Sequence, residues 1–262
     1  MKNNTYETLL VESKDGVTTV TLNRPEKKNA INGTMWDELR TVFSGYGQDP
    51  ADRVLVITGA DGAFCSGADL SDAGRGREKH QLRRMDDVNS VAIALHRIAQ
   101  PVIAKVDGVA AGAGCNLALG CDLIVASQSA RFSEIFARRG LSIDFGGSWL
   151  LPRLVGVHKA KELALLADVI SAQEAERLGI VNRVVPDEEI DAFVDDWAQR
   201  LAAGPPLALS MTKRLLNEGV NVSLDEALAN EGMAQTVNFS TEDVKEAMTA
   251  FFEKRAPSFE GR

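Results

Sequence analysis

"PVIAKVDGVAAGAGCNLALGCDLIVAS", residues 101–127, sets two apolar runs of strand length around a stretch of very small residues. "PVIAKVDG" and "CDLIVAS" predict buried strands, and "AGAGCNLALG" between them predicts a helix whose backbone is open to close approach. The pattern has a precedent upstream. In "VLVITGADGAFCSGADL", 54–70, a continuous apolar run ends at Gly59 and a glycine-bearing turn follows. Two readings stand for such loops. Glycine after a strand commonly marks only a turn, and an Ala/Gly helix can simply pack closely on a strand. Alternatively, free N–H groups in the two loops offer two donors to one negative oxygen, the arrangement that polarises a carbonyl. Stronger fingerprints are missing. "GAGCNL" lacks the third glycine of a dinucleotide loop, no Gly-Lys-Ser/Thr phosphate loop occurs, and "GGSWL" lacks the closing glycine of a nucleophile elbow.

Outward from these loops, strands and helices alternate. "YETLLVES" and "GVTTVTLN" split by "KDG" predict a hairpin. "GTMWDELRTVFSGYGQD" has helical periodicity. The polar, Gly-interrupted "LSDAGRGREKHQLRR" reads as a loop, with Arg75, Arg77 and Lys79 as a solvated basic stretch. "MDDVNSVAIALHRIAQ" reads as an amphipathic helix stopped by Pro101. "SAQEAERLG" carries a Ser171–Glu174 capping box, and "IVNRVV" predicts a strand. From about Pro186 the pattern turns to helices with short connections. The fold class is therefore α/β with a helical tail, divided here as a core over 1–200 and a helical region over 201–262.

The 262 residues are 45% hydrophobic and 25% charged, an ordinary globular composition. The formal net charge of −8 argues against a nucleic-acid partner. Cys65, Cys115 and Cys121 show no CxxC spacing and read as small buried hydrophobes in reduced form. No apolar signal core opens the chain and no run approaches the ~18 residues that cross a bilayer. The expectation is a cytoplasmic protein with no membrane partner. The scattered His80, His96 and His158 predict packing or surface positions and no metal site.

"LNRPEKKNAIN" (22–32), "GAFCSGADL" (62–70), the stretch quoted first, "SARFSEIFARRGLSIDFGGSWLLPRLVG" (129–156) and the tail "FFEKRAPSFEGR" (251–262) together resemble the enoyl-CoA hydratase/isomerase, or crotonase, superfamily. The resemblance runs over nearly the whole chain, in order. It implies a crotonase-like spiral of ββα turns with a C-terminal helical trimerisation region, as a homotrimer or a dimer of trimers. It implies an acyl-CoA thioester substrate and no separate cofactor, coenzyme A being part of the substrate. The backbone N–H groups of Ala68 and Ala113 would form an oxyanion hole, with Gly112 beside it. "NRPEKKNA" (23–30) and "AFCSGADL" (63–70), the latter with Phe64, Asp69 and Leu70, would border the coenzyme A cleft. Arg24 and Lys27 would contact phosphates, though both also suit a solvated basic turn. Lys254 of a neighbouring subunit would add a contact, or serve as an ordinary C-terminal helix cation.

The resemblance also exposes departures. The superfamily's hydratases use two glutamates, whose positions here hold Asn116 and Phe136. Neither an amide nor a phenyl ring takes a proton. The remaining acid is Asp144, in "GLSIDFGGSWLLP" (140–152), with no basic residue within four positions. Some relatives place a catalytic aspartate there: dienoyl-CoA isomerases, aryl-CoA dehalogenases and ring-epoxide isomerases of phenylacetate breakdown. The dienoyl isomerases would also want carboxylates at 116 and 136, and the dehalogenases' upstream histidine position holds Asn89. "GVAAGAG" and "DFGGSWLLPR" resemble the ring-epoxide isomerases most. The expected activity is a double-bond shift with Asp144 as proton shuttle, Asn116 near the pocket and Phe136 as pocket wall or core. Asp144 also suits a helix N-cap before "FGGSWLLPR", and Trp149 suits the core. An enoyl-CoA hydratase that holds its water on Asn116, and an acyl-CoA-binding scaffold without turnover, are the alternatives.

Overall fold

The computed structural model describes residues 5–72 and 80–262. Asp15 and Gly16 turn the chain through left-handed backbone, φ 51° and 81°. This folds strand β1 (Leu9–Lys14) back antiparallel on β2 (Val17–Leu22), the expected hairpin. Helix α1 (Gly33–Gly45) follows, capped by Asn32, whose side chain accepts from the Met35 N–H. Next come β3 (Val54–Gly59), α2 (Gln81–His96), β4 (Val102–Val106), β5 (Val109–Ala111), α3 (Ala113–Leu119), β6 (Leu123–Ser127) and β7 (Arg131–Ser133). The chain continues through α4 (Gly147–Val155), α5 (Val157–Leu166), β8 (Ile170–Ser171), α6 (Ala172–Arg177), β9 (Arg183–Val185) and α7 (Ile190–Ala202). Helices α8 (Pro206–Gly219), α9 (Leu224–Phe239) and α10 (Glu242–Glu253) end it.

Six strands form one sheet in the order β1-β2-β3-β4-β6-β9, parallel from β2 onward. A smaller sheet has the order β5-β7-β8, and Cys65 extends it through a parallel bridge to Ala110. Each turn of the chain thus lays one strand in the large sheet, a short segment against the small one, and then a helix. That is the ββα spiral. Both faces of the large sheet are covered, which explains the unbroken apolar runs. Leu55 and Ile57 of β3 face the main core with Met35, Leu39 and Leu117, while Val54 and Val56 face Val194 and Ala198 of α7.

Two expected boundaries move. Helix α2 starts at Gln81, inside the stretch read as loop, with the His80 side chain accepting from Leu82 N–H. Its first turn carries a single apolar residue, the exposed Leu82, so no apolar pattern announces it. Only Arg183–Val185 of "IVNRVV" joins the sheet, because the Asn182 side chain takes the Ile124 N–H at 2.7 Å. The basic stretch at Arg75, Arg77 and Lys79 lies outside the described residues. Among those described, no helix is long and apolar enough to cross a membrane.

Candidate active site

The two glycine loops meet. Cys65 N–H donates to Val109 C=O and Ala111 N–H donates to Cys65 C=O, both at 2.9 Å. Glycines make the approach possible. A Cβ on Gly114 would lie 2.4 Å from the Cys65 carbonyl oxygen, and one on Gly67 (φ 99°) would lie 2.8 Å from that of Ala111. The same Gly67 Cβ would stand 3.6 Å from Ala113 N, so the 66–68 turn sits over the start of α3. Ile31 bonds the residues on either side of Ala68, donating to Gly67 and accepting from Asp69. The Ala68 N–H is left pointing away from that bridge, and the Ala113 N–H, at the first residue of its helix, has no intrahelical acceptor.

Side chains of "NRPEKKNA" hold this arrangement. Asn29, fully buried, donates to the Ala60 and Ala63 carbonyls at 2.9 and 2.7 Å and accepts from Arg24 N–H. The Arg24 guanidinium donates to Ala30 C=O at 2.6 Å and pairs with Asp69 at 3.0 Å, both side chains largely buried. Asp69 also accepts from Ser71 N–H and Oγ, and these contacts hold its carboxyl below the usual range. Arg24, expected at a phosphate, is therefore a brace for the Ala68 turn.

A cleft of about 490 Å³ opens over the two loops. Ala68, Asp69, Leu70, Gly112, Ala113, Phe136 and Asp144 all line it. Lys27 and Phe64 do not: Lys27 is exposed, and Phe64 is fully buried in the core. Lys254 closes α10 in left-handed backbone, φ 55°, outside the cleft. Lys28, inside the segment expected at the cleft, lines it together with Arg131 and Arg139, which the motif reading missed, and the three supply its positive charge.

Asp144 is not a helix cap. Phe145 and Gly146 both take left-handed backbone, φ 49° and 80°, and α4 begins after them with Gly146 as N-cap. Only the Asp144 carbonyl is engaged there, accepting from Gly147 N–H. Its half-buried carboxyl keeps Oδ1 out of solvent and without a hydrogen-bond partner. Burial pushes it from 3.8 up to about 6. Asn116 stands behind it, fully buried, and donates from Nδ2 to the Asp144 carbonyl at 3.0 Å and to Glu134 Oε2 at 3.4 Å.

The remaining candidates resolve simply. Trp149 is part-exposed on α4 rather than core, with Arg153 3.9 Å from its ring centroid and His96 edge-on. Cys65 and Cys115 are buried and Cys121 nearly so, and burial raises all three thiols, Cys65 to about 12. Among the described residues, no three His, Cys, Asp or Glu side chains are grouped to hold a metal ion.

This spiral and paired-loop cleft define the crotonase class of fold. The solved enoyl-CoA hydratase of Bacillus anthracis matches it with a TM-score of 0.93 at 33% identity, over 98% of this chain and 100% of that one. The family described as enoyl-CoA hydratase/isomerase matches residues 12–262, and the chain belongs to that family. Among its relatives, a crotonyl-CoA hydratase of Syntrophomonas wolfei is 38% identical over 97% of this chain and 98% of the relative. A 1,2-epoxyphenylacetyl-CoA isomerase of Escherichia coli is 37% identical over 98% and 99%.

Proposed function

We propose that this enzyme shifts a double bond in an acyl-CoA thioester, with one carboxylate as proton shuttle and no separate cofactor. One observation carries the reading. Asp144 lines the cleft and its buried oxygen has no hydrogen-bond partner to tie the carboxylate down, while Asp69, the other acid among the described cleft residues, is spent on Arg24. The thioester oxygen would accept from the Ala68 and Ala113 N–H groups, which stabilises an enolate and acidifies the neighbouring carbon. Asp144 would take a proton from C2 or C4 and return it to the other carbon. The raised carboxyl makes it a stronger base than a solvated aspartate, yet one that is ionised at neutral pH. In a ring-epoxide substrate, the reaction named for the Escherichia coli relative, the same acid would assist ring expansion.

The polyphosphate end of coenzyme A suits the positive rim of Lys28, Arg131 and Arg139. The C-terminal helices would assemble the chain into a trimer or a dimer of trimers. Their exposed Leu216, Leu224, Phe239, Phe251 and Phe252 suit burial between copies.

A hydratase reading has its own observation. Asn116 Oδ1 is a buried acceptor without a partner, behind Asp144, and hydratase is the name of the Syntrophomonas wolfei relative. The test gives the protein a 3-enoyl-CoA and, separately, a 2-enoyl-CoA, with Asp144→Asn alongside. Conversion of only the 3-enoyl substrate, abolished by the substitution, supports the isomerase. Rapid gain of water by the 2-enoyl substrate supports the hydratase. Binding without turnover of either leaves a scaffold.

A further inference from the structure

Among the described residues, Glu134 is the one buried carboxyl next to the site that the mechanism above does not use. It lies between Ser133 and Ile135, which line the cleft, yet it is itself buried and borders a different, small cavity with Cys115, Leu151 and Leu163. Its partner is the Asn116 amide, which also clamps the Asp144 carbonyl. Three oxygens of this cluster are buried without hydrogen-bond partners: Asn116 Oδ1, Glu134 Oε1 and Asp144 Oδ1. An apolar core would not keep three such atoms for stability alone. The clamp is tight as well, since a Cβ on Gly147 would lie 2.4 Å from the Asn116 amide.

We propose that Glu134 is a positioning residue for Asp144: it anchors the Asn116 carboxamide that holds the Asp144 loop, and its own ionisation tunes Asp144 as a base. The inference rests on the reading of Asp144 as proton shuttle. Burial lifts the Glu134 carboxyl to about 7, hydrogen bonds from Asn116 and Cys115 oppose the rise, and the Asp144 charge adds to it. Two acids that share the Asn116 amide in this way titrate as a pair. The other ionisable groups facing Glu134 are Cys115 on α3 and Asp168 after α5, the latter paired with Arg138. Around the cleft, Asp144 shares the lining with Arg139, Lys28, Arg131 and the Arg24-bound Asp69.

The experiment is the pH profile of kcat/KM on a 3-enoyl-CoA for the wild type, Glu134→Gln, Glu134→Asp and Asp144→Asn. The wild type should rise in two steps, the upper one near neutrality as the Glu134 charge strengthens Asp144. Glu134→Gln keeps the shape and an acceptor for Asn116 but cannot ionise. It should lose the upper step, fall about threefold at pH 8 and leave KM unchanged. Glu134→Asp should keep the step but lose about tenfold in kcat, because the shorter acid releases the clamp. A Glu134→Gln profile that superposes on the wild type overturns the proposal while an inactive Asp144→Asn leaves the shuttle standing. An active Asp144→Asn overturns the shuttle itself, and the proposal with it.

Discussion

Asp144 owes its chemistry to two backbone angles. Left-handed Phe145 and Gly146 delay the start of α4, so the carboxylate is not consumed as a cap and stays in the cleft. Its isolation among apolar neighbours was legible in the sequence. The choice between cap and base was not, because left-handed backbone at a phenylalanine has no sequence signature. Glu134 has no sequence signature for a related reason. A glutamate in "FSEIF" is visible, but its burial behind Asn116 depends on which way β7 leaves the small sheet. The raised Asp144 carboxyl also bears on stability. The folded chain holds that proton more tightly than the unfolded one, so stability falls as pH rises from 3.8 toward about 6 and stays lower above it. Asp144→Asn should therefore be more stable than the wild type at pH 7.5 by about 1 kcal/mol and melt at a higher temperature, with the gap closing below pH 4. Paired melts at the two pH values check it.

At the scale of elements, the strands and the two loops were readable because glycine and small residues mark where backbone meets backbone. Gly67 is the tightest case. Gly67→Ala would force a Cβ against the Ala111 carbonyl at a backbone angle that L residues rarely adopt. It should cut kcat/KM about a hundredfold through the displaced Ala68 N–H while leaving the circular dichroism unchanged. Arg24 read as a phosphate contact because charge alone does not disclose a partner. The partner of Arg24 is Asp69, 45 residues away in sequence. Removing one member of a largely buried pair leaves the other unsatisfied, so Arg24→Met should destabilise by about 3 kcal/mol, measured by urea unfolding.

The whole molecule presents a different surface at its C-terminal end. Helix α9 has no fully buried residue, and Phe251 and Phe252 of α10 meet edge to face while 75% and 78% exposed. The helical tail was plain from periodicity, but which of its faces stays uncovered depends on how α8 folds back, where Lys213 pairs with Asp122 at 2.7 Å. The proposed assembly predicts a light-scattering mass of three or six chains, reduced toward one by Phe251→Asp with Phe252→Asp. A monomeric wild type at micromolar concentration would contradict it. The central claim, that one carboxylate beside two backbone donors carries the chemistry, is tested most directly by steady-state kinetics on a 3-enoyl-CoA, wild type against Asp144→Asn. The account predicts a loss in kcat of about a thousandfold with KM within a few-fold. An Asp144→Asn enzyme within tenfold of the wild type would contradict it.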